Sequence, residues 1–262
     1  MIDDDTDMTI GIPNFRDVGG HETAGGAPVR AGRLFRSVAL DRVSDEDLVA
    51  LERLGLRTIF DLRTREEQAR YPDRLPHGAT LVSLDVLPDQ RAADYGAVAA
   101  HLREPESHTR GGSASDMERF NVASYRDLVR LGCARAAYHA FFERLADGGA
   151  PALVHCTGGK DRTGWAVAAL LLLLGVDEDA IMADYLASHE AVRARFAPMI
   201  DDFVARGGER SVIEAMLSAK PAYLRAAIDT MAQDYGSIES YFSTGLGLDD
   251  AVPARLRTAF LE

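Results

Sequence analysis

The segment His155-Cys156-Thr157-Gly158-Gly159-Lys160-Asp161-Arg162-Thr163-Gly164 brings a thiol, adjacent glycines and a guanidinium together. Cys156 and Arg162 enclose five residues. An apolar run, Pro151 to Val154, leads in, and another, Trp165 to Leu174, leads out. This is a nucleophile on a strand-to-helix turn, and the chemistry it could do is attack on a phosphate monoester. Such an ester is a dianion, so a site that cleaves it must neutralise charge and still supply a strong nucleophile. At a helix N-terminus a cysteine faces unpaired N–H groups and the positive end of the helix dipole, and both favour its thiolate. Thr157, Gly158, Gly159, Lys160, Thr163 and Gly164 are the candidate phosphate-binding residues around Cys156. Gly158 and Gly159 supply the tight curvature and positive φ that a nest of N–H groups requires. Arg162 can grip two phosphate oxygens with its planar fork and stabilise an in-line transition state. Thr163 is well placed to donate a hydroxyl hydrogen to the cysteine sulfur and help it leave in a second step. Fixed donors and a covalent intermediate would together supply most of the rate.

Three other readings explain less. A buried structural cysteine accounts for neither the glycines nor the arginine. A Walker-type nucleotide loop requires Gly-x4-Gly-Lys-Ser/Thr, but Val154 stands where the first glycine belongs and Asp161 follows Lys160. A sulfurtransferase loop also carries a cysteine on such a turn. The five-residue spacing to Arg162 and the Arg-Thr-Gly ending argue against it.

The elements that must position this loop follow from pattern. Strands are expected at Leu34–Ser37, Arg57–Leu62, Thr80–Leu84 and Ala152–His155. Between them, Ser44-Asp45-Glu46-Asp47 opens a helix that Gly55 stops. Thr64 with Glu67 forms a capping box, and Cys133 to Ala146 reads as a helix ended by Gly148-Gly149. After Gly175 the chain reads as helix throughout, with Asp177 capping one helix, Ser211 with Glu214 another, and Pro221 opening a third. The alternation predicts an α/β fold, a mostly parallel sheet of about four to five strands flanked by helices, with a helical C-terminal part at about 177–262. Ligands of such sheets bind at the carboxyl ends of strands, where Cys156 falls. From about 87 to 120 the chain is polar and Ala/Gly/Ser-rich, too long for an ordinary loop. A disordered insertion and a partly helical lid both fit that composition.

The 262 residues are read as a single domain, 47% apolar, with a formal net charge of -12. That charge disfavours nucleic acid as a partner. Cysteines number two, Cys133 and Cys156, too few for a disulfide framework, and a reactive Cys156 suits a reducing compartment. The N-terminus is acidic where a signal peptide is basic, and the longest apolar run, Trp165 to Val176, is too short to span a bilayer. A cytoplasmic location is expected. No His or Cys spacing suggests a metal site, and no cofactor is expected.

His-Cys-x5-Arg-Thr resembles the signature of the protein tyrosine phosphatase superfamily. The fuller run Gly159 to Gly164 is similar to the bacterial atypical tyrosine/lipid phosphatases. Asn14 to Gly20, Arg33 to Ser37, Asp61-Leu62-Arg63 with Glu66-Glu67, Ala183 to Leu186 and the Tyr235 region carry the likeness across nearly the whole chain. The resemblance implies a tyrosine phosphatase-like fold with a lid over the site, and a phosphocysteine intermediate. It implies phosphotyrosine, phosphoserine/threonine or phosphoinositide substrates, with inorganic phosphate as product. Because the family includes a secreted member, export without a cleavable leader stays open.

The leaving oxygen needs a proton donor. Asp161 occupies the loop position that the family resemblance associates with acid catalysis. Asp89, after the third strand, aligns with a Pro-Asp of that family and is the rival. Tyr71-Pro72-Asp73 imitates the Trp-Pro-Asp of eukaryotic tyrosine phosphatases, but it lies far upstream and reads as a surface turn. Asp61 and Arg63 are expected to form an ion pair that buttresses the loop. His155 is expected to donate a hydrogen bond that orders it. Asn14, Arg16 and Asp17 read as structural. Lys160 has two readings: a second phosphate-binding cation, as phosphoinositides would need, or a charge that favours the Cys156 thiolate.

Overall fold

The computed structural model describes residues 10–87 and 113–262. Among the described residues, five strands form one sheet in the order β1-β2-β5-β3-β4. They are β1 (Arg16–Asp17), β2 (Leu34–Ser37), β3 (Thr58–Asp61), β4 (Thr80–Ser83) and β5 (Ala152–His155). β1 runs antiparallel to β2, and the other neighbours are parallel. The expected strands β2 and β5 have the observed bounds. The expected β3 and β4 overrun by a residue at one or both ends. Ladder bonds continue there, from Arg57 N to Pro151 O and from Leu62 N to His155 O, after the pairing pattern ends. β1 was not anticipated, because two polar residues carry no alternation.

His155 pairs with Ser37 on one side and Asp61 on the other, so three strands end level and Cys156 leaves the sheet between two neighbours. The central strands β2, β5 and β3 are buried on both faces, as parallel strands must be when helices cover them, whereas β4 is largely exposed. Leu153, Ile59 and Phe35 face a small core with Leu51. Val154, Phe60 and Leu34 face a large one.

On the small-core side lies α1 (Asp45–Arg53), with Ser44 accepting from Asp47 N at 3.0 Å and Gly55 at φ 64° closing it. Helix α2 (Arg65–Arg70) carries the expected capping box. Helix α3 (Ala114–Arg130) starts inside the segment expected as an insertion at 87–120, capped by Ser113 with Asp116. Residues 88–112 of that segment, Asp89 included, lie outside the described residues. Helix α4 (Gly132–Arg144) runs into a wider turn, Leu145–Gly149, with Gly148 at φ 88°.

Helix α5 (Arg162–Leu174) is apolar all round from Trp165 and sits in the middle of the large core. Gly175 at φ 82° ends it. The C-terminal part is helical as expected: α6 (Glu178–Leu186), α7 (Ser188–Ala205), α8 (Arg210–Leu217), α9 (Pro221–Tyr235) and α10 (Ala251–Phe260). Asp177 caps α6 and Pro221 opens α9. Ser211 is not a cap, because α8 already begins at Arg210. No helix among the described residues is long and apolar enough to cross a membrane.

Candidate active site

Cys156 to Asp161 join the end of β5 to the start of α5 at the carboxyl edge of the sheet. Gly159 has φ 62°, and a Cβ there would lie 2.0 Å from the Ser37 carbonyl oxygen. Only glycine fits. At Gly158 a Cβ would meet nothing closer than 3.7 Å, so the loop demands one of its two glycines on steric grounds. The loop carbonyls are held from outside. Asn14 Nδ2 donates to Gly158 O at 3.1 Å and Gly159 O at 3.0 Å, and Arg36 donates to Gly159 O at 2.7 Å. Ala39 N donates to Thr157 O at 3.3 Å. A planar trans peptide points its N–H opposite to its carbonyl, so these anchors turn the N–H groups of Gly158, Gly159 and Lys160 inward. No side chain caps the first turn of α5, whose N–H groups add to that concavity. Cys156, 2% exposed, stands at its foot.

Arg162 is oriented by Glu67 of α2. Its two terminal nitrogens donate to Glu67 Oε2 at 2.6 Å and Oε1 at 2.9 Å, and one also reaches Leu62 O at 3.3 Å. Thr157 Oγ1 donates to Glu67 as well. Burial alone would raise the Glu67 carboxyl. The Arg162 charge, with hydrogen bonds from Arg162, Thr157 and Thr64 N–H, holds it well below the usual carboxylate range instead. The capping carboxylate of α2 is thus also the clamp on the loop arginine.

Behind the loop, Asp61 and Arg63 form a bidentate pair, Nε to Oδ1 at 2.9 Å and a terminal nitrogen to Oδ2 at 2.7 Å. The same guanidinium reaches Asp73 Oδ2 at 2.7 Å. Asp73 therefore departs from the surface-turn reading: Tyr71 is exposed, but the Asp73 side chain is 1% exposed and also accepts from Leu40 N at 2.8 Å. His155 Nε2 stands 3.3 Å from Asp73 Oδ2, and its Nδ1 lies 3.4 Å from Cys156 O. Burial would raise the Asp73 carboxyl, but His155 and Arg63 hold it below its ordinary value. Asp61, Asp73 and His155 bring ligand-type atoms within 4.8 Å of one another. Arg63 already bridges both carboxylates there.

Lys160 is held by backbone carbonyls rather than left free to face a phosphate. The side chain is buried. Its Nζ donates to Met216 O (3.2 Å), Leu217 O (3.0 Å) and Ser218 O (2.9 Å) at the end of α8. Those orphan carbonyls and the negative end of the helix dipole are good partners for a buried ammonium. Asp161 is 42% exposed at its side chain; Tyr125 donates to its Oδ1 at 2.8 Å, and Lys160 Nζ lies 3.4 Å away. Thr163 Oγ1 is buried and forms no hydrogen bond, so the expected bond to the cysteine sulfur is not made here. Gly164 lies against the Tyr185 ring, which a Cβ would approach to 3.2 Å.

Asp184 of α6 ties the N-terminal segment down. It accepts from Arg16 Nε at 2.6 Å and from Arg36 at 2.5 Å. Arg16 also donates to the Asp184 carbonyl at 2.7 Å and to Asn14 Oδ1 at 2.5 Å. Asp17 accepts from Gly19 N at 2.8 Å and Gly32 N at 2.5 Å, away from the loop.

Sequence reasoning missed Glu67, Arg36, Asp73 and Tyr125 as parts of this site. Glu67 was visible as a helix cap and as part of the family resemblance, with no role at the loop. Arg36 had a weak signal, a charged residue inside an otherwise buried strand. Asp73 was visible in Tyr71-Pro72-Asp73 but read as part of a surface turn, and Tyr125 had no signal, because its role depends on elements far away in sequence.

A family model described as "Tyrosine phosphatase family" matches residues 8–262. The Triple specificity protein phosphatase PtpB of Mycobacterium tuberculosis is 35% identical over 275 residues, covering 96% of this chain and 97% of the relative. A Cupriavidus necator protein, named provisionally as a tyrosine-protein phosphatase, is 34% identical over 243 residues, with 92% and 84% covered. A tyrosine-protein phosphatase of Nostoc commune is 31% identical over 169 residues, with 61% and 49% covered.

Proposed function

The chain belongs to the tyrosine phosphatase family, and from that premise we propose how its residues divide the work and what they act on. It is a phosphoric monoester hydrolase that works through a phosphocysteine intermediate. Cys156 is the nucleophile, and its Sγ attacks phosphorus in line with the leaving oxygen. The loop N–H groups from Thr157 to Thr163 and the Arg162 guanidinium hold the equatorial oxygens as charge develops on them. Asp161 gives the leaving oxygen its proton and then takes one from the water that opens the phosphocysteine. Asp89 is the alternative donor. Asp61, Arg63 and His155 support the loop from behind. The observation that carries this assignment is the loop itself: Cys156 and Arg162 flank a turn whose Gly159 admits no side chain.

For substrates, the name of the mycobacterial relative, a triple specificity phosphatase, supports a range wider than phosphotyrosine. We place phosphotyrosine first, with phosphoserine/threonine and phosphoinositides as further substrates and inorganic phosphate as product. A phosphoinositide preference loses the support that Lys160 gave it, because three carbonyls hold that ammonium. A cytoplasmic location fits two cysteines that are both free.

The test is hydrolysis of 4-nitrophenyl phosphate by the purified protein, with chelator and with vanadate. Turnover that resists chelator and is blocked by vanadate is expected. Cys156→Ser is expected to abolish turnover while vanadate still raises the melting temperature. Retained turnover in that variant would refute the covalent mechanism.

A further inference from the structure

Asp161 ends a chain of hydroxyls supplied by two helices. Tyr125 of α3 is 1% exposed, and its OH lies 2.8 Å from Asp161 Oδ1 and 2.8 Å from the Tyr185 OH of α6. A hydroxyl has one hydrogen, so a Tyr125 that donates to Asp161 must accept from Tyr185. The donors thus run one way, from Tyr185 through Tyr125 to Asp161. Burial pushes both phenols well above their ordinary value, so Tyr125 keeps its hydrogen and stays a donor. Among the described residues, the remaining charged and titratable neighbours of Asp161 are Lys160, 3.4 Å away, Arg162 beside it in the chain, and Tyr138 and Tyr223 within reach of its charge.

We propose that Tyr125 is a positioning residue for acid catalysis: by donating to Asp161 Oδ1 it assigns the transferable proton to Oδ2. Among the described residues no group bonds Oδ2. As the Cys156 thiolate bonds to phosphorus and the ester P–O bond breaks, the Oδ2 proton passes to the departing oxygen. The alcohol or phenol leaves, and the Tyr125 hydrogen bond stabilises the carboxylate that remains. Tyr185 acts one step back by fixing the direction of the Tyr125 hydroxyl. This inference rests on the reading of Asp161 as the acid.

The experiment compares phenyl phosphate, a poor leaving group that needs a proton, with 4-nitrophenyl phosphate, which needs one less. Asp161→Asn is expected to lose more kcat on phenyl phosphate, on the order of 100-fold more. Tyr125→Phe should show the same bias, about tenfold, and Tyr185→Phe a smaller one in the same direction. Tyr125→Phe placed on Asp161→Asn should add no further bias. If Asp161→Asn is biased but Tyr125→Phe and Tyr185→Phe lose equally on both esters, the tyrosine proposal fails and the acid stands. If Asp161→Asn itself loses equally on both, the acid assignment fails, and the proposal with it. Should Tyr125→Phe not fold, Tyr185→Phe decides, since it leaves Tyr125 in place.

Discussion

Glu67 does two jobs with one carboxylate. It closes the capping box of α2, accepting from Thr64 N at 2.8 Å, and it aligns the Arg162 fork with two short bonds. A clamp of this kind fixes the plane of a guanidinium before substrate arrives, so less orientation is left to be found in the transition state. Glu67→Gln is expected to lower kcat/KM on the order of 10- to 100-fold, with a smaller effect on folding. The pH dependence follows from the depressed carboxyl. A folded value below the ordinary 4.5 means that the unfolded chain binds the proton more readily. The contribution to stability is therefore complete above the ordinary value and is lost as pH falls toward the folded value. Urea midpoints measured from about pH 5 down to about pH 3 should fall more steeply in the native protein than in Glu67→Gln. Parallel curves would remove Glu67 from this account. The sequence placed this residue correctly as a cap, through the spacing Thr64 to Glu67. Its second partner lies 95 positions along the chain and leaves no local trace.

Among the elements, α8 shows how a helix end can reassign a residue. Lys160 sits where a phosphate-facing cation was expected, yet its ammonium satisfies the last carbonyls of α8. A buried ammonium without partners would be costly, and three carbonyls at a helix C-terminus supply them. Lys160→Met is expected to cost about 1–3 kcal/mol, because those carbonyls lose their donor. Chemical denaturation measures this. In the same variant the ratio of phosphotyrosine to phosphoinositide turnover should stay unchanged, and a selective loss on phosphoinositides would return Lys160 to the substrate. The element boundaries themselves were legible where the chain carries its own punctuation: Ser44 and Gly55 around α1, Asp177 before α6, Gly175 after α5. They were not legible at β1, which is defined by pairing with β2 alone, nor at α8, whose start ignores the Ser211 signal.

For the molecule as a whole, one core joins the sheet to the C-terminal helices. Phe60 and Val154 share it with Tyr223, Leu224 and Phe260. Trp165, the single tryptophan, lies fully buried there and donates to Tyr241 OH at 3.1 Å. A shared core couples the stability of its parts, so unfolding should be one transition. Tryptophan fluorescence, which reports on α5, and far-UV circular dichroism, which reports on all helices, are expected to give coincident urea curves. A circular dichroism transition separate from the fluorescence one would make the C-terminal helices an independent unit. The cations at the loop are likewise partnered across the molecule, Arg16 and Arg36 on Asp184 and Arg162 on Glu67. An acidic chain thereby gathers positive charge at one place.

The sequence by itself determined the loop cysteine, the arginine, their spacing, the strand and helix that carry them, and the α/β class. These depend on residues close together in the chain, where spacing, periodicity and capping act directly. Tertiary structure alone decided which partners orient them: Glu67 on Arg162, Arg36 and Asn14 on the loop carbonyls, Asp73 behind His155, Tyr125 on Asp161, and α8 on Lys160. Each of these is a contact between side chain and distant backbone or between distant side chains. A buried polar group must find some partner, but which one depends on the elements folded against it, and that is a property of the packed molecule.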